Sequence, residues 1–415
     1  MMQKVTYKPR WLADKLRMAA EFSPVIILSG ARQTGKSTLL QNEHPFKDWH
    51  YITFDDLDAL ALAQKRPDEI LNISRNMVID EVQKAPKFLH AVKKAIDKDR
   101  SRRIVLSGSA KLILMKNVSE SLAGRSAYFD LMPFSYGELI ERRYNNWIES
   151  FIETGHLPSL DIKDYGGKQK VNDNIIRNLF RGFLPPVAFL QKEEHIATWW
   201  KGYIKTYLER DLRDVSEISY LPDFRKLMEL LALRTANILK QSDVARDTGL
   251  SHATTGRYIN ILEETGLMTK VRPYSKNISK RLIKAPKIFI TDPGLAASLG
   301  GFAFSTSISE EFRGSLLESY VFLNLTTIAS LIGGDVLYFR TQGGKEREVD
   351  LVLERGNKII GVEVKLASTV SMRDIENLLF LKDETKRFAG GIVVYCGSEI
   401  KQLTANVFAI PWNIF

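Results

Sequence analysis

Ser29-Gly30-Ala31-Arg32-Gln33-Thr34-Gly35-Lys36-Ser37-Thr38 decides how this chain folds. The run fits G-x-x-x-x-G-K-[ST], a loop whose backbone N–H groups cradle phosphates while its lysine reaches the β- and γ-phosphates and its hydroxyl ligates Mg²⁺. Those two roles fall to Lys36 and Ser37, with Gly30, Gln33, Thr34, Gly35 and Thr38 completing the cradle. The flanks separate this reading from an ordinary Gly-rich turn. Val25-Ile26-Ile27-Leu28 is an apolar, β-rich run of the buried parallel-strand kind, and Ser37 to Leu40 can open a helix aimed at the phosphates.

Downstream, Trp49 to Phe54 predicts a second strand, and Asn76-Met77-Val78-Ile79 a third that runs into Asp80-Glu81. Apolar residues ending in two acids form a Walker B arrangement, in which Asp80 holds Mg²⁺ and Glu81 orients or activates the attacking water. Arg103 to Leu106 predicts a fourth strand ending in Ser107-Gly108-Ser109. Ser107 or Ser109 either senses the γ-phosphate or caps the next helix. Leu122-Ala123-Gly124-Arg125 precedes a further strand, Ala127 to Leu131. Arg125 is an arginine-finger candidate, in cis or in trans, or a surface arginine in a turn. Alternating strands and helices in this order imply a doubly wound parallel sheet.

The 415 residues carry 59 Lys and Arg against 49 Asp and Glu, a net charge of +10 that is compatible with a polyanionic partner without establishing one. No apolar run approaches the roughly 20 residues of a membrane span. The N-terminus lacks the apolar core of a secretory signal, and the lone Cys396 cannot form an internal disulfide, so a cytoplasmic location without membrane contact is expected.

From about Pro133 to Phe189 the chain looks helical and irregular, suiting a lid over the nucleotide and a hinge; Trp199 to Asp214 predicts a long helix. Ile238 to Ser251 and Thr254 to Glu264 read as a helix-turn-helix, and strands at Gly266 to Val271 and Pro286 to Ile290 extend it to a winged helix. Lys270, Arg272, Lys276, Lys280, Arg281, Lys284 and Lys287 fall in the wing with no acid among them, which suits phosphate-backbone contact. The second helix offers only Arg257 as a base and ends in Glu263-Glu264. DNA of branched or single-stranded form, bound with low sequence specificity, is therefore the expected partner; a protein-contact module is the alternative.

The last segment begins near Gly300. Glu318 lies on a predicted helix, and Glu348 to Leu353 and Lys358 to Lys365 read as paired strands. Alternation puts Glu363 and Lys365 on one face, where Asp350 of the neighbouring strand can meet them. Asp350 and Glu363 could share a Mg²⁺, with Lys365 beside the attacking water and Glu318 completing the site. The residues alone leave open whether these are a catalytic set or a charged sheet face.

The phosphate loop, Leu106-Ser107-Gly108-Ser109, Leu122 to Arg125, Tyr207-Leu208-Glu209-Arg210-Asp211, and Gly314 to Glu318 before Glu363-Val364-Lys365 together resemble the AAA-type prokaryotic ATPases. These carry a conserved C-terminal domain of unknown function with a PD-(D/E)XK nuclease-like end. The resemblance implies an α/β architecture: a P-loop AAA+ ATPase domain with a helical lid at 1–195, a helical linker and winged helix at 196–300, and a PD-(D/E)XK nuclease-like domain at 301–415. It also implies ATP and Mg²⁺ as cofactors. The expected function is a DNA-binding ATPase, compatible with a homo-oligomer, acting in DNA processing or defence with a Mg²⁺-dependent nuclease-like end. The alternative is a nucleotide-switched regulator whose C-terminal parts only bind partners.

Overall fold

The computed structural model describes residues 7–108, 122–160, 175–206, 218, 220–277, 281, 284–304, 308–341 and 346–415. Ser109, Lys280 and Tyr207 to Asp211 lie outside them. The chain divides into two compact units, Met1–Phe134 with Glu264–Leu267 and Ser135–Glu263 with Met268–Phe415.

The first unit is built on a parallel sheet of β1 (Val25–Ser29), β2 (His50–Thr53), β3 (Asn76–Asp80), β4 (Arg103–Ser107) and β5 (Ser126–Asp130), in the order β2-β3-β4-β1-β5. All five residues of β1 are buried, as an apolar central strand requires. The Phe88–Lys98 helix buries Phe88, Leu89, Val92 and Ile96 along one stripe. With Phe54, Ile70, Leu71, Met77 and Ile79 they form a core in which each large side chain contributes on the order of 1.5–3 kcal/mol. Parallel strands place Ser29, Thr53, Asp80, Ser107 and Asp130 at one edge of the sheet, where the expected phosphate site lies.

In the second unit, the Tyr136–Leu139 helix opens with a capping box between Ser135 and Glu138, and the Tyr136 amide donates to Asn324 Oδ1 at 2.8 Å. The Trp147–Thr154 helix packs by Phe151 on Phe408. The expected lid starting near Pro133 thus joins the C-terminal half in its described parts, because its apolar residues find their partners there. Next come helices Leu221–Leu233, Gln241–Thr248 and His252–Glu264, with a small antiparallel sheet of β6 (Asn237–Ile238), β7 (Met268–Val271) and β8 (Lys287–Ile290), ordered β6-β8-β7.

A long helix, Glu310–Ile332, then leads into β9 (Asp335–Arg340), β10 (Glu348–Arg355), β11 (Lys358–Lys365), β12 (Phe388–Tyr395), β13 (Lys401–Thr404) and β14 (Val407–Pro411). The sheet order is β13-β14-β12-β11-β10-β9: β9, β10 and β11 form an antiparallel meander, and β12 and β14 run parallel to β11. The Glu376–Glu384 helix covers one face. A Cβ on Gly361 would stand 2.6 Å from Leu378 Cδ2, so any larger residue there would force that side chain of the helix to shift. The Glu310–Ile332 helix corrects the expectation of no membrane-length apolar run, since an 18-residue window of it reaches a mean hydropathy of 1.4. That window is 78% buried inside the protein, so the helix serves as a core element.

Asp292 fixes the start of the Pro293–Leu299 helix. Its Oδ1 accepts from the Gly294 amide at 2.7 Å, and its Oδ2 from Phe183 and Leu184 at 2.7 and 2.8 Å. Burial pushes this carboxyl up to about 6 against the pull of those backbone donors. A folded-state value above the unfolded one stabilises fully below the unfolded value near 3.8 and loses that contribution as pH rises through about 6. Asp292→Asn, which turns an NH₂ group towards backbone donors, should cost about 1–3 kcal/mol. Urea unfolding across this pH range should show the gap between wild type and variant narrowing as pH rises; a gap that widens contradicts the assignment.

Candidate functional site

At the carboxyl edge of the first sheet, the loop after β1 turns through left-handed backbone at Gln33 and Gly35, with φ of 68° and 93°. Gly30 has φ 153°, and a Cβ there would stand 2.4 Å from the Leu131 carbonyl oxygen, so only glycine lets the loop lie against the end of β5. Arg10 braces it from behind: its buried guanidinium donates to the Thr34 carbonyl at 2.9 Å and the Met132 carbonyl at 2.7 Å. The Thr34 hydroxyl donates to the Ala31 carbonyl at 2.9 Å. The Lys36 ammonium, 6% exposed, donates to the carbonyls of Gly30 and Ala31, both at 3.0 Å. Burial lowers its pKa, opposed by Glu81, Asp80 and Asp130. The sequence reading missed Arg10, which lies far from the motif.

Ser37 and Asp80 meet, the hydroxyl donating to Asp80 Oδ2 at 2.5 Å. The Tyr51 phenol donates to the same oxygen at 2.5 Å. Tyr51 is a residue the sequence reading missed. Its only signal is alternation along β2, which sets Tyr51 on the same side as Thr53, the residue paired with Asp80 on β3. Burial, and then the bond to Asp80, raises the Tyr51 pKa, so the phenol stays a donor. Glu81 adopts left-handed backbone with φ 54°, a conformation that costs a non-glycine residue about 1–2 kcal/mol and turns its side chain out of the strand line. The Gln83 amide donates to its carboxylate, and burial followed by the neighbouring Asp80 raises its pKa. Ser107 Oγ, buried at the end of β4 between β1 and β3, has no hydrogen-bond partner. The loop, Lys36 and the Ser37–Asp80 pair fit a nucleoside triphosphate with Mg²⁺.

Arg125 does not join this group. Its carbonyl accepts from the Val25 amide at the amino end of β1, while the phosphate loop follows Ser29 at the other end. Four residues of strand, about 13 Å, separate the two edges. Its guanidinium chelates Asp97 at 2.7 and 3.1 Å. The geometry therefore places it as a surface ion pair and gives no support to a finger acting within its own chain.

The C-terminal residues form a second cluster. Beyond the Leu351–Val362 pair, Asp350 and Glu363 neighbour each other across β10 and β11. Asp350 Oδ2 accepts from the Val364 amide at 2.8 Å, and Lys365 Nζ reaches Glu363 Oε2 at 2.7 Å. Glu318, on the Glu310–Ile332 helix, is instead paired with Lys287 Nζ at 2.6 Å, and the same ammonium lies 2.9 Å from Glu348 Oε1. Burial pushes Glu318 and Glu363 each up to about 8, Asp350 adding to both. Among the described residues no three His, Cys, Asp or Glu side chains converge as a metal-holding group. The expected Mg²⁺ pair of Asp350 and Glu363 thus stands without a third such ligand, and Lys287 supplies positive charge beside it.

The basic wing is corrected in part. Lys287 is 2% exposed and faces the acids, not solvent. Arg281 makes a bidentate pair with Glu354 of β10 and stacks on Tyr274, and Lys270 pairs with Glu263. Lys276 and Arg257 are exposed and Lys284 is half-buried. Acids on β10 and the long helix, and Glu263 of the preceding helix, thus consume charges that look unopposed within the wing itself.

Residues 22–140 match the model of an AAA domain, residues 172–306 that of a domain of unknown function (DUF8612), and residues 313–415 that of a domain of unknown function (DUF4143). The chain thus contains an AAA-type ATPase domain. An uncharacterised protein of Mycobacterium tuberculosis is 29% identical over 405 residues, covering 96% of this chain and 82% of that one. Another, of Methanocaldococcus jannaschii, is 22% identical over 375 residues, covering 84% and 77%. Among solved structures, a Walker-type ATPase of Pyrococcus abyssi is similar with a TM-score of 0.40 and 18% identity, covering 72% of this chain and 99% of that one.

Tyr51→Phe removes one of two hydroxyl donors to Asp80 without changing shape. A hydrogen bond to a charged group contributes about 1.5–3 kcal/mol to the folded state, so the variant should lose stability of that order, and kcat/KM for Mg²⁺-dependent ATP turnover, measured where the variant is folded, should fall at least roughly tenfold. Unchanged turnover and Mg²⁺ dependence would make the phenol a spectator.

Proposed function

We propose that this chain hydrolyses ATP at the carboxyl edge of the first sheet, and that its second unit is a DNA-binding, nuclease-like module under the control of that turnover. The observation that carries the ATPase reading is the 2.5 Å approach of Ser37 Oγ to Asp80 Oδ2, which brings the loop hydroxyl and the strand-end acid to one point. Ser37 and Asp80 would hold Mg²⁺, which when bound neutralises charge on the β- and γ-phosphates. Lys36 exchanges its two carbonyl acceptors for phosphate oxygens, and the loop amides close around them. Glu81, projected from strained backbone, orients the attacking water and takes up its proton; the raised pKa suits that role. Ser107 Oγ, partnerless at the strand edge, is the better-placed candidate for reading the γ-phosphate, and Ser109 remains a candidate.

For the second unit, the helices and three-stranded sheet from Leu221 to Ile290 support a winged-helix reading, and the helix, meander, helix and parallel strand from Glu310 to Tyr395 support a PD-(D/E)XK nuclease-like one. Branched or single-stranded DNA would meet Arg257, Lys276 and Lys284, with Lys280 of the same stretch. Asp350, Glu363 and Lys365 would form the phosphodiester site. The Lys287 ammonium between Glu318 and Glu348 favours the second reading, a nucleotide-switched regulator that binds without cutting.

Lys36→Ala should lose nucleotide binding or turnover, whereas Glu81→Gln should bind ATP and hydrolyse it roughly 10²-fold or more slowly. Phosphate release and fluorescent-nucleotide binding, with and without single-stranded, duplex and branched DNA, measure both; near-wild-type turnover in the two variants removes the ATPase reading. Neutralising Lys276 and Lys284 together should weaken DNA binding and flatten the dependence of log affinity on log salt by about two units. An unchanged slope would move DNA contact away from the wing.

A further inference from the structure

We infer that the turn Glu264-Thr265-Gly266-Leu267 couples the nucleotide at the phosphate loop to the second unit. The inference rests on the ATPase reading and adds how occupancy of that site is passed along the chain. These four residues belong to the first compact unit, although the chain on both sides, up to Glu263 and from Met268, belongs to the second. The turn joins the end of the His252–Glu264 helix directly to β7, so it is spliced between the second helix of the proposed winged helix and its wing. Thr265 and Leu267 are 5% and 3% exposed, which makes this excursion a packed element and not a surface loop. Gly266 has left-handed backbone, with φ 72°, and a Cβ built on it would stand 3.3 Å from the Ala31 amide nitrogen and 3.5 Å from Ala31 Cα and Cβ. Ala31 follows the first glycine of the phosphate loop.

A second observation points the same way. The Ala31 carbonyl accepts from Lys36 Nζ at 3.0 Å and from the Thr34 hydroxyl at 2.9 Å. Ala31 therefore has the turn against its amide and side chain, and the ammonium that reaches for phosphate on its carbonyl. The loop has little room to absorb a push, because Gly30 lies against the Leu131 carbonyl and the Thr34 carbonyl is held by Arg10 at 2.9 Å. A phosphate that draws Lys36 away changes the forces on a residue fixed on both sides, and in a close-packed site the strain passes to the neighbour, which is the turn. Linkage makes the coupling reciprocal, so whatever alters the turn alters nucleotide affinity by the same factor. The chain that leaves the turn carries the proposed DNA contacts, Arg257 before it and the wing after it. DNA held there is felt at the loop through the same four residues.

The test compares two alanine substitutions in the full chain by fluorescent-nucleotide binding in Mg²⁺. Gly249, which ends the Gln241–Thr248 helix, has φ 76° against 72° at Gly266, but a Cβ there meets nothing within 4 Å among the described residues. Gly249→Ala and Gly266→Ala thus carry the same backbone cost, and only Gly266→Ala presses on the phosphate loop. Gly266→Ala should bind nucleotide at least roughly fivefold more weakly than Gly249→Ala, the low end of typical coupling between sites. Equal affinities overturn the inference. Hydrogen exchange of the unsubstituted chain gives a second readout that needs no variant to fold. Mg²⁺ with a non-hydrolysable ATP analogue should slow exchange at least roughly fivefold in Glu264–Leu267 and in the flanking Tyr258–Glu263 and Met268–Val271. Slowing confined to the residues of the first unit, or none in a chain that binds the analogue, overturns the coupling while the ATPase reading stands. An unsubstituted chain that binds nucleotide no better than Lys36→Ala sinks the ATPase reading, and the coupling with it.

Discussion

A charge taken out of water must be met by an opposite charge or by hydrogen bonds, and that requirement governs each site in this molecule. Lys36 meets it with two loop carbonyls, so the phosphate loop holds its shape with the ammonium already turned inward. Asp80 meets it with two hydroxyls, Asp292 with three backbone amides, and Lys287 with two carboxylates. In each case the apolar strands or helices create the dry environment, and the polar partner is positioned by the same packing. The chemistry of the sites follows from which partner can be exchanged. Carbonyls and hydroxyls yield readily to phosphate or to a cation, whereas a buried ion pair yields only if the element carrying one partner moves.

This difference explains how much of the molecule was legible in the sequence. The phosphate loop and the acids after β3 are local: their strand, turn and functional residues lie within a dozen positions, so periodicity and glycine placement suffice. The strand order puts them together without further information, since parallel strands bring their carboxyl ends to one edge. The same rule, applied to Arg125, would have predicted its exclusion. It precedes β5 and must sit at the amino edge, while residues that follow a strand reach the site.

The wing was misread for a different reason. Counting bases between Lys270 and Lys287 records only the charges of that segment, and the acids that neutralise them come from elsewhere. Glu354 and Glu348 lie on β10 and Glu318 on the long helix. No window along the chain contains these pairs. A weak signal was present in Lys287 itself, the one charged residue in a strand whose four positions are all buried. A lysine at the head of a run such as Lys287-Ile288-Phe289-Ile290 is as consistent with an inward ion pair as with a basic surface, and tertiary contacts decide between them.

The two pairings also differ in what they leave for function. Arg281 and Glu354 form a bidentate contact reinforced by Arg387 on the same carboxylate and by stacking on Tyr274, which fastens the wing to β10 through geometry as well as charge. Lys287 is a point charge on a flexible stem, without a fork to fix its direction. The arginine pair thus fixes direction as well as charge, whereas the lysine contributes charge alone. Burial pushes Glu318, the acid it pairs with on the long helix, up to about 8, so burial opposes the charge of both partners in that pair.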